Sequence, residues 1–229
     1  MANLTVIFRP LRLLTGLVLL ASQSLFAEAE SPTPSFPMTL QPAEAQYRVV
    51  VNGIPLGLDA TIRLTQNDQD YQLHFQIENR LFQHEEIATF RWHDCSARPY
   101  HYRHASAGFG MRREGEIRFD WKEGEAQGSK AVYPLVENAL DALSVAMMAR
   151  CNMARGDTAF SYQVAEPDGM THYQYRSLGE EILETPAGEW DAASIERDYP
   201  ERSKRSRFWA ARELDYFMVR MDHHLASPP

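Results

Sequence analysis

The chain has 229 residues, 44% of them apolar and 24% charged. That composition suits a globular domain that buries a core, not a disordered or collagen-like chain, and the length falls within the range of one β-rich domain. Its 31 acidic and 23 basic side chains give a formal charge of −8, which argues against generic nucleic-acid binding because phosphates would be repelled rather than steered in.

The first thirty residues bear on compartment. Arg9 and Arg12 form a short basic region ahead of the run Leu13-Leu14-Thr15-Gly16-Leu17-Val18-Leu19-Leu20-Ala21. This run is too short to cross a bilayer, which takes about 20 residues of helix. Small residues follow, with cleavage expected after Ala27 or after Ala29. Basic flank, short apolar core and small-residue exit together predict a secretory signal peptide over residues 1–29, the alternative being an interfacial N-terminal anchor. The expected location is the bacterial periplasm. No Cys lies near the cleavage region, which disfavours a lipoprotein, and no later apolar run is long enough to predict a membrane span in the mature chain.

Residues 30–45, with Pro32, Pro34, Pro37 and Pro42, read as an extended, partly mobile lead-in. A single β-rich domain is expected over 46–225. Tyr47-Arg48-Val49-Val50-Val51 runs into Asn52-Gly53, a hairpin dipeptide whose residues tolerate positive φ. A strand over about 58–65 ends in the polar turn Gln66-Asn67-Asp68-Gln69. Beyond it Leu73, Phe75 and Ile77 alternate with Gln72, His74 and Gln76, and the pattern recurs in Ala88, Phe90, Trp92 and in Ile117, Phe119, Trp121. Period-two alternation predicts antiparallel strands with one buried and one wet face. Further strands are expected near 98–105, 158–166, 170–179, 189–198, 205–211 and 215–222, with turns at Asp168-Gly169 and Pro186-Ala187-Gly188.

One segment departs from that period. Val136, Leu140, Leu143 and Met147 form one stripe of an amphipathic helix expected over about 136–152, stopped by Gly156 and Asp157. One helix among about ten strands predicts a mainly β fold: a curved antiparallel sheet, barrel-like or a sandwich, with the helix covering an end or open face. The chain has two cysteines, Cys95 and Cys151. In an oxidising compartment an isolated pair is most simply a disulfide.

Several motifs follow one another along the chain: Asp141-Ala142-Leu143-Ser144 leading to Arg150, then Gly156, Gly179-Glu180-Glu181, Glu184-Thr185-Pro186-Ala187-Gly188, Trp209 and Leu214-Asp215-Tyr216-Phe217-Met218-Val219-Arg220. With Tyr47, Asn52-Gly53-Ile54 and Gly57, this order resembles the exported bacterial family catalogued as domain of unknown function 3108 (DUF3108), over about residues 46–222. The resemblance implies an antiparallel barrel-like or sandwich domain in the envelope and implies no catalytic residue. Met218 stands where such families usually show Pro before the final Val-Arg, which leaves the pairing of the last strand open.

Candidate chemistry is sparse. His93, Asp94 and Cys95 adjoin, but successive strand residues point to opposite faces, which favours a disulfide over a thiolate site. His101 with His104, and His223 and His224 with Asp222, have spacings that do not converge on a metal along a strand. Ser144, one turn after Asp141, lacks the Gly-x-Ser-x-Gly elbow of hydrolases; the role expected of Asp141 is structural, an ion pair with an Arg or a hydrogen bond into a loop. There is no P-loop, dinucleotide fingerprint or zinc-type spacing. No catalytic residue, metal or cofactor is therefore expected. Arg202, Lys204, Arg205 and Arg207 cluster in an otherwise acidic chain. They are the candidate ligand-binding residues, for anionic lipid headgroups or acidic polysaccharide, the alternative being a solvated hairpin loop that protects strand edges. Aromatics on predicted strands, among them Tyr102, Tyr173, Tyr175 and Trp209, fill the core or line a cavity for one apolar ligand.

The expected function is a non-enzymatic periplasmic protein that binds an envelope component, lipid or glycan, or a partner protein in envelope assembly. The alternatives are an envelope-modifying hydrolase with dispersed site residues and a structural interaction module. A carrier should contain a deep apolar cavity; an enzyme should gather titratable side chains with perturbed pKa values in one pocket.

Overall fold

Alternating apolar and polar residues dictate strands, and nearly every strand pairs with its neighbour in sequence. The computed structural model describes residues 3–10, 38–51, 54–108, 110–199 and 204–225. In chain order the elements are β1 (Asn3–Pro10), β2 (Ala43–Val51), β3 (Ile54–Asn67), β4 (Asp70–Glu78), β5 (Phe82–His93), β6 (Ser96–Gly108), β7 (Met111–Asp120) and β8 (Glu125–Gly128). There follow β9 (Val132–Pro134), β10 (Leu140–Asp141), α1 (Val145–Arg155), β11 (Ala159–Glu166), β12 (Gly169–Thr185), β13 (Gly188–Tyr199), β14 (Lys204–Ala211), a 3-10 turn (Arg212–Leu214) and β15 (Phe217–Leu225).

These strands form one sheet in the order β10-β11-β12-β13-β14-β15-β1-β2-β3-β4-β5-β6-β7-β8-β9. Every pairing is antiparallel except the short β10–β11 contact, which is parallel. The sheet curls until its ends meet the opposite wall, β10 against β6 and β9 against β12. The fold is thus the expected mainly β, antiparallel, barrel-like architecture with one helix. The Asn52-Gly53 turn lies outside the described residues, but Val51 and Ile54 pair on either side of it. At the next hairpin Asp68 takes φ 53°, as the polar turn requires.

The inward phase of each strand is the one the alternation predicts. Leu73 and Ile77 are buried on β4, Phe90 on β5, and Ile117 and Phe119 on β7. Each such side chain contributes roughly 1.5–3 kcal/mol by leaving water. The seam where the curl closes relies on two glycines. A Cβ on Gly128 would lie 2.3 Å from the Pro167 carbonyl oxygen, and one on Gly115 would lie 2.6 Å from the Pro167 ring. Lys130 N–H donates to that same Pro167 carbonyl at 3.0 Å, and the Tyr133 hydroxyl donates to the Glu166 carbonyl.

The expected helix boundary moves. The helix is Val145–Arg155 rather than 136–152. Asn138 takes φ 61°, and Leu140 and Asp141 pair as a strand with Val164 and Ala165, so the chain cannot be helical there. Asp141 Oδ1 then accepts the Leu143 and Ser144 N–H groups at 2.8 and 2.7 Å, which turns the chain into the helix. The far end is as expected: Gly156 adopts φ 75° and its N–H bonds back to Asn152 and Met153. Residues ahead of Gln46 also pack on the sheet. Met38 and Leu40 are buried, held by Trp92 Nε1–H donating to the Met38 carbonyl at 2.8 Å.

Cys95 and Cys151 form a disulfide with their Cα atoms 5.9 Å apart. It ties the β5–β6 turn to α1, and Met38 packs over it. Tyr47 on β2 donates its hydroxyl to the Met218 carbonyl of β15 at 2.7 Å, a link across β1.

Candidate functional site

The helix lies inside the curl, and its sequence suits that place: Val145, Met147, Ala149 and Cys151 are all buried. It does not fill the interior. A cavity of about 400 Å³ remains between α1 and the sheet, within the size range of small-molecule sites, roughly 300–1,000 Å³. Ile62, Leu73 and Phe75 of β3 and β4 form one wall; Tyr173, Tyr175 and Ile195 of β12 and β13 form the other. Phe208, Phe217, Met218 and Met221 complete the β14–β15 side, and Met147, Ala149 and Met153 present the helix. The lining is overwhelmingly apolar and aromatic.

Two guanidinium groups break that surface, Arg150 and Arg197. Arg150 is 5% exposed. Its Nε–H donates to the Asp215 carbonyl at 2.8 Å, Nη1 sits 3.7 Å from Met147 Sδ, and Cζ lies 5.5 Å from the centre of the Phe217 ring. Burial pulls its pKa down to about 10, against the pull of the Asp215 charge. Arg197 is packed over Tyr173 and over Tyr199, with Cζ 4.1 Å from the latter ring's centre. Among the described residues, no carboxylate forms an ion pair with either arginine, whereas most of the other ion pairs hold surface side chains.

A polar network borders the cavity on the β5–β6 side. Glu86, which lines the cavity, accepts the Tyr102 hydroxyl at 2.8 Å and faces His84 Nε2 at 2.9 Å. His84 Nδ1 in turn lies 2.7 Å from Ser106 Oγ. Burial raises the Glu86 pKa, but the hydrogen bonds from His84 and Tyr102 outweigh it and hold the carboxyl below its ordinary value. Asp141 is fully buried. Burial pushes its pKa up to about 6, opposed by the bonds from Ser144 and Leu143, and Oδ2 has no partner. On the β14–β15 wall, Ser206 Oγ lies 2.6 Å from His223 Nδ1.

A family model described as "Protein of unknown function (DUF3108)" matches residues 46–227. The chain belongs to the DUF3108 family. A solved structure, the β-barrel-like protein of domain of unknown function DUF1849 from Brucella abortus, is similar over 99% of this chain and 95% of that one, with 8% identity and a TM-score of 0.47. No curated protein matches the chain.

In this DUF3108 chain Tyr173, Tyr175 and His223, singled out by sequence, line the cavity, whereas Arg205 and Arg207 of the basic cluster do not. Arg202 lies outside the described residues; Lys204 opens β14 opposite Tyr199. Arg205 pairs with Asp198 at 3.3 Å, and Arg207 pairs with Glu181 and stacks on Trp209. His93 is exposed beside Asp94, and His101 faces Glu116 at 2.9 Å. No group of three or more metal-capable side chains occurs among the described residues. Ser144 is buried and bonds within the Asp141 turn, the loop hydrogen bonding expected of that aspartate. The residues that matter to the DUF3108 interior were missed as charges. Ile195, Arg197 and Tyr199 share one phase of β13, and Glu86, Ala88 and Phe90 share one phase of β5. A charged residue in an otherwise inward phase was the signal available.

Proposed function

We propose that the protein is a non-enzymatic binding protein of the bacterial periplasm that holds an apolar envelope component, a lipid or lipid-like molecule, inside its curled sheet. The observation that carries this reading is the apolar cavity of about 400 Å³ between α1 and the sheet. A void of this size lined by aromatic and aliphatic side chains forfeits packing contacts unless something occupies it. Export is supported by the N-terminal pattern of Arg9, Arg12 and the apolar run that follows, and by a disulfide suited to an oxidising compartment. On this reading residues 1–29 leave on maturation, β1 with them, while Tyr47 continues to link β2 to β15. The test is native mass spectrometry of the protein from its own periplasm. A stoichiometric co-purifying lipid, on a chain beginning at Glu28 or Glu30, is the expected result. A chain that still begins at Met1 refutes export by cleavage, and an apo mass that no added lipid shifts refutes the carrier.

One observation favours a second reading, a hydrolase. Ser106, His84 and Glu86 form a serine–histidine–carboxylate chain, the groups used for acyl transfer. Here the serine meets Nδ1 and the carboxylate Nε2, the reverse of the usual arrangement, and Ser106 does not line the cavity although Glu86 does. Covalent labelling of Ser106 by a fluorophosphonate, abolished in Ser106→Ala, would establish this reading over the carrier; no labelling would remove it.

A further inference from the structure

We propose that the cavity ligand is a single-chain amphiphile with an acidic head group, a carboxylate or phosphate monoester, whose charge is neutralised by the Arg150 guanidinium. The inference rests on the carrier reading and narrows its substrate class.

A guanidinium removed from water is strongly unfavourable unless it is paired and its hydrogen bonds are met. Arg150 sits on the helix inside the curl, and among the described residues its contacts are one backbone carbonyl, one thioether and the face of Phe217. A carbonyl and a sulfur are neutral acceptors, and the Asp215 charge acts on the guanidinium without forming an ion pair with it. Glu86, the carboxylate that lines the cavity, is engaged elsewhere, with one oxygen on His84 and one on Tyr102, and it makes no ion pair with Arg150. The charge left without an ion-paired partner is therefore that of the guanidinium. An anion on the ligand would receive charge-assisted donors from the guanidinium fork, while the apolar wall takes a hydrocarbon chain. Arg197, between Tyr173 and Tyr199, adds a second positive charge to the same cavity, so an ammonium head group is repelled. A neutral chain leaves Arg150 as it is.

The experiment uses the mature, delipidated protein and isothermal titration with dodecanoate, dodecyl phosphate, dodecanol, dodecyltrimethylammonium and inorganic phosphate, each below its micelle concentration and above the pKa of the acid. Charge-assisted bonds of ordinary strength make both acids bind about tenfold to a hundredfold more tightly than dodecanol, with the ammonium weakest and inorganic phosphate unbound. In Arg150→Met, which keeps an apolar chain in that volume, the acids fall to the level of dodecanol. Acid and alcohol binding equally would overturn the head-group assignment and leave the carrier standing. Failure of every chain to bind would overturn the carrier itself. Inorganic phosphate binding as tightly as dodecyl phosphate would overturn the role of the chain. Acid preference lost in Arg197→Met but kept in Arg150→Met would overturn the choice of arginine. The head-group series on the unaltered protein is decisive even where Arg150→Met fails to fold.

Discussion

Replacing Asp141 by Asn probes a fully buried carboxylate. Its Oδ1 accepts two backbone N–H groups and Oδ2 has no partner, so an Asn carbonyl can keep the turn into α1 while removing the charge. Burial raises the pKa from 3.8 to about 6. The folded-state value lies above the unfolded one, so the stabilising contribution of the protonated form is fully present below the unfolded value and is lost as pH rises through about 6. That rise corresponds to about 3 kcal/mol, most of it developed between pH 4 and pH 8. Urea unfolding followed by tryptophan fluorescence, disulfide intact, should show Asp141→Asn gaining about 2–3 kcal/mol on the parent across that interval. Other carboxylates titrate in both proteins and cancel in the difference. Parallel stability curves would refute the reasoning, because Asp141 would then be as comfortable ionised in the fold as in water.

Further predictions follow from the seam, the disulfide and the basic hairpin. Gly128→Ala places a methyl 2.3 Å from the Pro167 carbonyl oxygen, so thermal unfolding should shift down and backbone exchange at Lys130 should quicken; an unchanged melting temperature would show that the seam can part freely. Reducing the Cys95–Cys151 bond, which spans 56 residues, should destabilise the protein by about 4 kcal/mol on the chain-entropy account, measured by denaturant unfolding with and without reductant. Replacing Arg202, Lys204, Arg205 and Arg207 together by Ser should leave lipid affinity within about twofold of the parent at moderate salt, since surface charges are screened over roughly 8 Å; a tenfold loss by titration would make that hairpin part of the site.

The strands were legible because a half-buried antiparallel strand repeats every two residues, as in Leu73-x-Phe75-x-Ile77 and Ile117-x-Phe119. The helix was only half legible. Val136, Leu140, Leu143 and Met147 have helical spacing, yet Leu140 is buried as part of a strand beside Val164, and Asp141 inside the stripe holds a turn ahead of the helix by accepting the Leu143 and Ser144 N–H groups. Of the lead-in, residues 30–37 lie outside the described residues, and residues 38–42 have no regular structure, while Met38 and Leu40 are held by Trp92 and by core packing that no local pattern contains.

The interior charges were illegible for a stronger reason. Period-two reading assigns a residue to a face, and the face of a flat sheet is either wet or dry. In a sheet that curls around a helix, the inner face can be dry at Phe90 and polar two steps earlier at Glu86. Whether Arg150 has a counter-ion depends on which side chains the curl brings within reach, and His84 meets Ser106 only because β5 and β6 pair in one register. The same geometry explains why the cavity survives. Filling it with larger core side chains would strengthen packing, but the residues that would have to grow include those flanking Arg150 on α1. A guanidinium held in such a space without an ion-paired carboxylate lowers the stability of the empty protein, and a bound anion relieves it by mass action as ligand rises above its dissociation constant. On that argument the buried arginine and the unfilled volume are one feature: each is unfavourable alone, and a ligand that supplies both chain and charge removes both defects together.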